Sequence, residues 1–283
     1  MSFFKLLLIA FVAFVQLAFT TYAESNLIYI VMEGTSRSSL YSLIQKNKLN
    51  NIMSIIKQGN YRNLEIEGME NDYEELYLTM LTGHDRHEFE ISSQNFSSQI
   101  SFFEQIKTKK SNYNTTVLFT PNDDVNQTSV VYNLISELVN HNKPYSRIKH
   151  SSSYELGVEA AAVIKAVKKP FVIFLNFTNI DKVGQRYREG GELYSQAIFN
   201  CDRAIGIILN QLKKQQLLNE TNIFITTNYG MEPKSKFKSH LTWVISNKKT
   251  QRKGVIQDIV PSLYDLIGIK PNRNQYFGES IFK

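Results

Sequence analysis

Short apolar runs rich in β-branched residues alternate with stretches of helical periodicity along most of this chain. A run of the first kind predicts a buried strand, and apolar residues that recur every three or four positions predict a helix. The runs predict six strands, over residues 27–32, 63–66, 115–120, 171–177, 222–227 and 242–246. The periodic stretches predict helices over residues 38–46, 52–58, 74–81, 100–107, 154–167, 193–212 and 256–266, and Gly268 reads as a stop after the last.

This alternation of strands and helices is typical of a mainly parallel central sheet with helices on both faces, so the predicted fold class is α/β. The chain has 283 residues, which is enough for one large domain, and we expect a single domain over residues 24–283. Ligands of parallel sheets bind beyond the carboxyl ends of the strands. Glu33 and the segments 179–185 and 228–230 follow predicted strands, so they are the positions to examine for chemistry.

The first 23 residues have the composition of a signal peptide. Lys5 precedes an apolar run over residues 6–19, and the small residues Thr21 and Ala23 are spaced like a signal-peptidase site. We expect cleavage after Ala23 and a secreted or lumenal protein with no membrane span after cleavage. The run is shorter than the roughly 20 residues of a membrane span, and the alternative is an uncleaved signal anchor that holds the protein at a membrane.

Composition adds three expectations. The net charge of +6 is modest and the basic residues are scattered in short clusters such as Lys107, Lys109 and Lys110, which favours a solvated surface and no nucleic-acid partner. The lone cysteine, Cys201, cannot form an intrachain disulfide, and it shares a helical face with apolar residues, which predicts a buried structural thiol. Five sequons predict a glycoprotein, although one of them lies in a predicted buried strand; they begin at Asn95, Asn114, Asn126, Asn176 and Asn219.

Six segments then follow one another in a recognisable order, from IYIVMEGTSRSSL and YLTMLTGHDRH through PFVIFLNFTNIDKVGQRY and YSQAIFNCDRAIGIILNQL to TNIFITTNYGM and DIVPSLYDLIGI. In this order the chain resembles the alkaline phosphatase superfamily, which includes type I phosphodiesterases, sulfatases and ethanolamine phosphate transferases. The resemblance covers nearly the whole chain after residue 23. It implies an alkaline-phosphatase-like fold and, in active members, two metal ions that activate a Ser or Thr nucleophile and hold the phosphoryl or sulfuryl oxygens.

The ligand and nucleophile positions that this resemblance implies have diverged here. The aspartate after the first strand is replaced by Glu33, whose carboxylate is one methylene further from the backbone. The nucleophile position falls at about Tyr73, in a stretch with no Ser or Thr, while Thr79 and Thr82 lie too far along the helix to substitute. The resemblance therefore implies a protein without its nucleophile.

The remaining ligand positions keep only two ligands. The family's Asp followed four residues later by His appears as Asp181 and Gln185, and its Asp-His pair appears as Asn228 and Tyr229. A neutral amide and a phenol with a pKa near 10 are poor ligands for a divalent ion. The last family histidine matches His240, so no cofactor is expected beyond at most one weakly bound, zinc-like ion held by Asp181 and His240. Asp181 also has the plainer interpretation of a turn or helix-cap residue.

Three hypotheses about function follow. The first is a pseudoenzyme of the secretory pathway or extracellular space that binds another protein or a surface ligand, or serves as a subunit of an assembly. The alternative is a divergent metal-dependent hydrolase of phosphate or sulfate esters that uses Glu33, Asp181 and His240 with one metal and a water nucleophile. A third is a lectin-like or lipid-headgroup binder that uses the old cleft without metal. In each case we expect Glu33, Tyr73, Asp181, Asn228, Tyr229 and His240 to converge around one cleft.

Overall fold

The computed structural model describes residues 24–66, 73–83, 101–119, 152–231, 238–239, 241–270 and 278–283. Within them, a seven-stranded sheet has the order β3-β4-β1-β5-β8-β2-β9, and two further short strands, β6 and β7, pair with each other. The strands are β1 (Asn26–Met32), β2 (Asn60–Glu65), β3 (Asn114–Phe119), β4 (Phe171–Phe177), β5 (Thr221–Thr226), β6 (Gly230–Met231), β7 (Lys238–Ser239), β8 (Leu241–Ser246) and β9 (Gly254–Val255).

The sheet is mainly parallel, as the sequence predicts. β3, β4, β1 and β5 pair in parallel, and so do β2 and β9. β8 alone is reversed and pairs antiparallel with both β5 and β2. All six predicted strands are present, with ends that differ by up to three residues from the prediction.

Eight α-helices among the described residues cover both faces of the sheet. One apolar cluster joins alternate residues of β1 (Leu27, Tyr29, Val31) to α3, α4 and α8, and the other joins Ile28, Ile30 and Met32 to α1, α2, α5 and α7. This alternation is the period of a strand that is buried on both faces. The helices are α1 (Arg37–Gln45), α2 (Asn50–Gln58), α3 (Tyr73–Thr82), α4 (Phe102–Lys109), α5 (Ser153–Ala166), α6 (Asn179–Tyr187), α7 (Glu192–Lys214) and α8 (Ile259–Leu266).

Helix α6 was not among the predicted helices. Its sequence NIDKVGQRY contains a central Gly184 and mostly polar residues, both of which weaken a helical signal. Only Ile180, Asp181 and Gly184 of this helix are buried, so its apolar stripe is too short to register as a periodic pattern. The segment 179–185 is therefore predicted only as a connection after β4, and the structure shows that all of it is helical.

Cys201 is buried in α7, which confirms the structural interpretation of the lone cysteine. Burial raises the pKa of its thiol to about 12, partly offset by a hydrogen bond with Ser153. The thiol is therefore uncharged at physiological pH. Across the described residues, no helix combines the length and apolar character that crossing a membrane requires.

Candidate functional site

The loop after β1 leads from Glu33 into α1 at the carboxyl edge of the parallel strands, and distant residues hold its backbone in place. The N–H of Gly34 donates to Asn228 Oδ1 (3.2 Å), that of Thr35 to Thr227 Oγ1 (3.2 Å) and that of Ser36 to the Tyr194 hydroxyl (2.8 Å). Trp243 Nε1 donates to Thr35 O (2.9 Å). These bonds connect the loop after β1 to β5, α7 and β8, and they occupy the backbone donors that precede helix α1.

Gly34 is the residue that lets this loop approach α6. Its φ of +71° lies in the left-handed region, and a Cβ added to it would come within 2.7 Å of Asp181 Cβ and Oδ1. A side chain at this position would therefore be both strained and obstructed. The glycine brings the carboxyl end of β1 against the first turn of α6.

The Glu33 carboxylate is fully buried and accepts hydrogen bonds from two neutral donors. Its Oε2 accepts from the Tyr77 hydroxyl at 2.6 Å and from Asn176 Nδ2 at 3.1 Å. Tyr77 comes from α3 and Asn176 from β4, so the carboxylate ties two elements to the end of β1.

The Asp181 carboxylate lies in the first turn of α6 and is held in the same way. Its Oδ1 accepts from the Tyr229 hydroxyl at 2.6 Å, and its Oδ2 accepts from Gln185 Nε2 at 2.7 Å. Asp181 also lies in the first turn of α6, where the helix dipole favours an acidic side chain. Tyr229 and Gln185 occupy the two positions where the family resemblance implies histidines, and both donate to the one aspartate that remains.

Asn228 is fully buried and acts mainly as an acceptor. Its Oδ1 accepts from the N–H groups of Gly34 (3.2 Å) and Tyr229 (3.0 Å), and no described residue hydrogen-bonds its Nδ2. An aspartate would satisfy the same two donors. The amide at this position therefore keeps the loop in place without adding a charge.

The structure thus brings together Glu33, Asp181, Gln185, Asn228 and Tyr229 at the carboxyl edge of the sheet. Tyr73 is the first residue of α3, as expected for the position where the nucleophile helix begins, but its side chain lies outside the described residues. His240 also lies outside them, as do His84, His87, His141 and His150.

Three residues of this site were not predicted from the sequence as parts of it. Tyr77 lies one helical turn after Tyr73, a spacing that places both near one face of α3 but gives no indication of a partner. Asn176 is, from the sequence, only a sequon inside a predicted buried strand, and the structure confirms that this residue is buried, with 4% exposure. Tyr194 donates to Gly34 O at 2.7 Å, and burial, reinforced by Glu189 and Asp181, raises its pKa above the usual value for a phenol although Ser36 opposes the rise.

Comparison with known proteins identifies the family. The type I phosphodiesterase / nucleotide pyrophosphatase family matches residues 79–281, which is more than half of the 283-residue chain. The chain belongs to this family. No curated protein matches this phosphodiesterase-family chain in sequence.

Solved structures confirm the alkaline-phosphatase-like α/β fold for this phosphodiesterase-family protein. The lipoteichoic acid synthase LtaP from Listeria monocytogenes superposes with a TM-score of 0.66 at 14% identity, over 92% of this chain and 76% of that one. A protein of the alkaline phosphatase superfamily from Vibrio parahaemolyticus gives 0.65 at 15% identity, over 92% and 70%. Alkaline phosphatase from the Antarctic bacterium TAB5 gives 0.61 at 12% identity, over 87% and 98%. At identities this low, the structural similarity shows a shared fold and nothing more.

The described residues of this phosphodiesterase-family site do not fit a two-metal centre. No group of three or more His, Cys, Asp or Glu side chains within the described ranges could hold a metal ion. Both Asp181 oxygens and Glu33 Oε2 already accept hydrogen bonds, and the side chains around them are phenols and amides. Such donors direct protons at the carboxylates, whereas metal ligands must direct lone pairs at a shared ion.

Proposed function

We propose that this protein is a catalytically inactive member of the type I phosphodiesterase family. It acts by binding another protein or a surface ligand, or as a subunit of an assembly. The observation that carries this proposal is the bond of 2.6 Å from the Tyr229 hydroxyl to Asp181 Oδ1. It places a proton donor where the family's mechanism needs a metal ligand.

Hydrogen bonds take over the role of charge compensation in this site. A buried carboxylate needs partners, and in the enzymes of this superfamily the resemblance implies that metal ions provide them. Here Tyr229 and Gln185 satisfy Asp181, while Tyr77 and Asn176 donate to Glu33. The scaffold can therefore retain its two remaining carboxylates without bound metal, which is the condition for a stable but inactive member.

A second observation that supports the proposal is that the backbone N–H groups before α1 already have acceptors. Backbone N–H groups before a helix can stabilise the charge that develops on a phosphoryl or sulfuryl group. Those of Gly34, Thr35 and Ser36 instead donate to Asn228, Thr227 and Tyr194. Together with the absence of Ser and Thr around position 73 in the sequence, this removes both the nucleophile and a ready-made oxyanion site.

Metal content and turnover, measured on the same preparation, test the proposal. The purified protein is equilibrated with zinc, magnesium or manganese, desalted and analysed for metal, and is then assayed with aryl phosphate, phosphodiester and sulfate ester substrates. We expect substoichiometric metal and rates equal to the background, unchanged by a chelator. Asp181→Ala is the matched variant, and it should leave these rates where they are.

Two results would replace this proposal by the alternative of a divergent metal-dependent hydrolase. One is the stoichiometric binding of two metal ions by the unmodified protein. The other is turnover that both a chelator and Asp181→Ala abolish. Either would mean that Tyr229 and Gln185 move away from Asp181 when metal is present.

The location that we propose is the secretory pathway or the extracellular space. The apolar run over residues 6–19 and the small residues before Glu24 support it. N-terminal sequencing of the protein from a secreting host should give a first residue near Glu24. Recovery of the intact segment 1–23 in a membrane fraction would support the signal-anchor alternative.

A further inference from the structure

The edge of the sheet opposite the site gathers the starts of β4, β1 and β5 and the end of β8. These four strands are neighbours in the sheet, and β8 runs antiparallel to β5, so its last residues lie at this edge. At a spacing of about 4.8 Å between strands, the four strand ends lie within about 15 Å of each other.

Exposed lysine pairs accompany three of these four strand ends. One pair directly precedes β4, one closes α7 before β5, and one follows β8. We call these six residues the basic edge: Lys168, Lys169, Lys213, Lys214, Lys248 and Lys249. The three pairs belong to separate parts of the sequence, and only the order and direction of the strands show that they share one edge.

Local structure accounts for only part of this set. Lysines in the last turn of a helix are favoured by the helix dipole, and this explains Lys213 and Lys214. Lys168 and Lys169 follow the C-terminus of α5, where the dipole also favours cations, whereas Lys248 and Lys249 follow a strand, where no helix dipole acts. Within the described parts of the chain, Glu220 is the only carboxylate that forms an ion pair with the basic edge, at 2.7 Å from Lys169 and with both side chains exposed.

The apolar N-terminal run joins the described chain at the same place. It ends at residue 19, and β1 begins at Asn26 between β4 and β5. The apolar run is therefore followed, after a short polar link that includes Glu24, by the strand at the middle of the basic edge. An apolar segment and cationic groups in one chain both favour binding to an anionic lipid surface, the first through burial and the second through charge.

We propose that the basic edge lies against an anionic phospholipid surface. The lysines supply a weak, salt-sensitive attraction that acts within about 10 Å of the headgroups. The site around Asp181 is at the opposite edge and faces away from the membrane. When residues 1–23 are retained, the basic edge fixes how the domain sits on the bilayer; when they are removed, it keeps a reversible affinity for the surface.

Vesicle sedimentation of the full chain, as obtained from a secreting host, tests this. Vesicles of phosphatidylcholine alone are compared with vesicles in which about one third of the lipid is phosphatidylserine, at low and high salt. We expect binding that requires the anionic lipid and weakens with salt. Insertion of a retained apolar segment would add equal binding to both kinds of vesicle, so the difference between them reports the basic edge.

Charge-reversal variants locate the effect. Lys213→Glu with Lys248→Glu should weaken binding to anionic vesicles at least tenfold, since each lysine near such a surface contributes about fivefold in affinity. The matched control, Arg186→Glu with Lys253→Glu, changes the net charge equally at exposed positions towards the opposite edge and should leave binding within about twofold. Lys168→Glu with Lys249→Glu repeats the test if circular dichroism shows that the first variant is misfolded.

Three outcomes would overturn the proposal. They are the absence of binding to anionic vesicles, equal binding to neutral and anionic vesicles, and an equal loss of binding in the control variant. None of them bears on catalysis, so this test stands or falls apart from that of the proposed function.

Discussion

At the scale of single residues, the phenols of Tyr229 and Tyr77 are hydrogen-bond donors to the two buried carboxyl groups in the site. Each phenol donates at 2.6 Å to a buried carboxylate, Tyr229 to Asp181 and Tyr77 to Glu33. A separation of this size lies at the short end of the range for hydroxyl donors. Loss of such a donor leaves a buried acceptor without its partner, and the cost of this exceeds the worth of the bond itself.

Tyr229→Phe should therefore destabilise the fold. We expect a loss of about 1–3 kcal/mol in the free energy of unfolding, because Asp181 loses its donor at Oδ1 in a buried position. Urea denaturation followed by far-UV circular dichroism measures it. Tyr154→Phe is the matched control, since Tyr154 is 55% exposed and should change stability by less than about 0.5 kcal/mol. Equal denaturation midpoints for the two variants would show that the Tyr229–Asp181 bond contributes nothing.

Gly34→Ala tests the close approach of β1 and α6. The added Cβ would meet Asp181 at 2.7 Å and would also sit at a φ of +71°. Gly268→Ala is a matched control, because Gly268 has a φ of +70° with no atom within 4 Å of an added Cβ. The control should cost about 1–2 kcal/mol for the backbone alone, and Gly34→Ala should cost a further 1–3 kcal/mol, roughly, for overpacking. Similar losses of stability in the two variants would mean that the contact with Asp181 relaxes freely.

At the scale of elements, Asp202 on α7 connects two helices. The N-cap residue of α2 is Leu49, which has no side-chain acceptor to offer. Asp202 replaces it from α7, accepting from the N–H groups of Asn51 and Ile52 and from Asn51 Nδ2. A carboxylate at a helix N-terminus is favoured by both hydrogen bonding and the dipole.

The contribution of Asp202 to stability should fall as pH rises. Burial raises the pKa of this carboxyl above its ordinary value of 3.8, although its hydrogen bonds to Ile52 and Asn51 oppose the rise. A folded-state pKa above the unfolded one means that the folded protein binds the proton more tightly. The resulting stability is complete below the ordinary value and is lost as pH rises through the raised value.

Urea denaturation of the natural protein and of Asp202→Asn measures the two free energies of unfolding. The series runs from about pH 3.5 to pH 7, roughly the range over which an Asp with a raised pKa titrates. The difference in stability between the two should shift in favour of the Asn variant as pH rises. A difference that stays constant, or one that moves in favour of the natural protein, would contradict the inferred direction of the pKa.

At the scale of the whole molecule, the positions at which we infer replaced ligands are spread over several elements. Asn228 and Tyr229 follow β5, Gln185 lies in α6, Glu33 follows β1 and Tyr73 begins α3. A two-metal site holds nucleophile, leaving oxygen and developing charge at once, so its parts act as a unit. Replacement of one or two residues should then restore little.

Stepwise reconstitution tests this cooperativity. Asn228→Asp with Tyr229→His and Gln185→His should raise metal retention but leave turnover near the background, because position 73 still lacks a hydroxyl nucleophile. Asn228→Asp should be tolerated, since Oδ1 of Asn228 already acts as an acceptor for two N–H groups. Tyr73→Thr and Glu33→Asp should be needed before a burst of phosphoenzyme appears in rapid-quench measurements. Turnover by the triple variant alone would show that the loss is not distributed.

Much of the fold and part of the site could be predicted from the sequence. The replaced positions Glu33, Gln185, Asn228 and Tyr229 follow strands whose apolar runs are plain, so their place at the carboxyl edge follows from the rule for parallel sheets. Tyr77 and Asn176 could not be found in this way, because each is an ordinary residue of a buried face until Glu33 lies beside it. Helix α6 was missed because its buried stripe of three residues is shorter than the period that reveals a helix.

The sequence by itself determined the six longer strands of the sheet, the helices with a clear apolar period, and the coverage of both faces of the sheet by helices. These are properties of local composition and periodicity, which a chain carries wherever it folds. Only the tertiary structure decided that β8 is reversed, that two phenols and two amides donate to Glu33 and Asp181, and that three separate lysine pairs lie near one edge. Strand direction, hydrogen-bond partners and surface charge density depend on groups far apart in sequence, and those groups become neighbours only when the core closes.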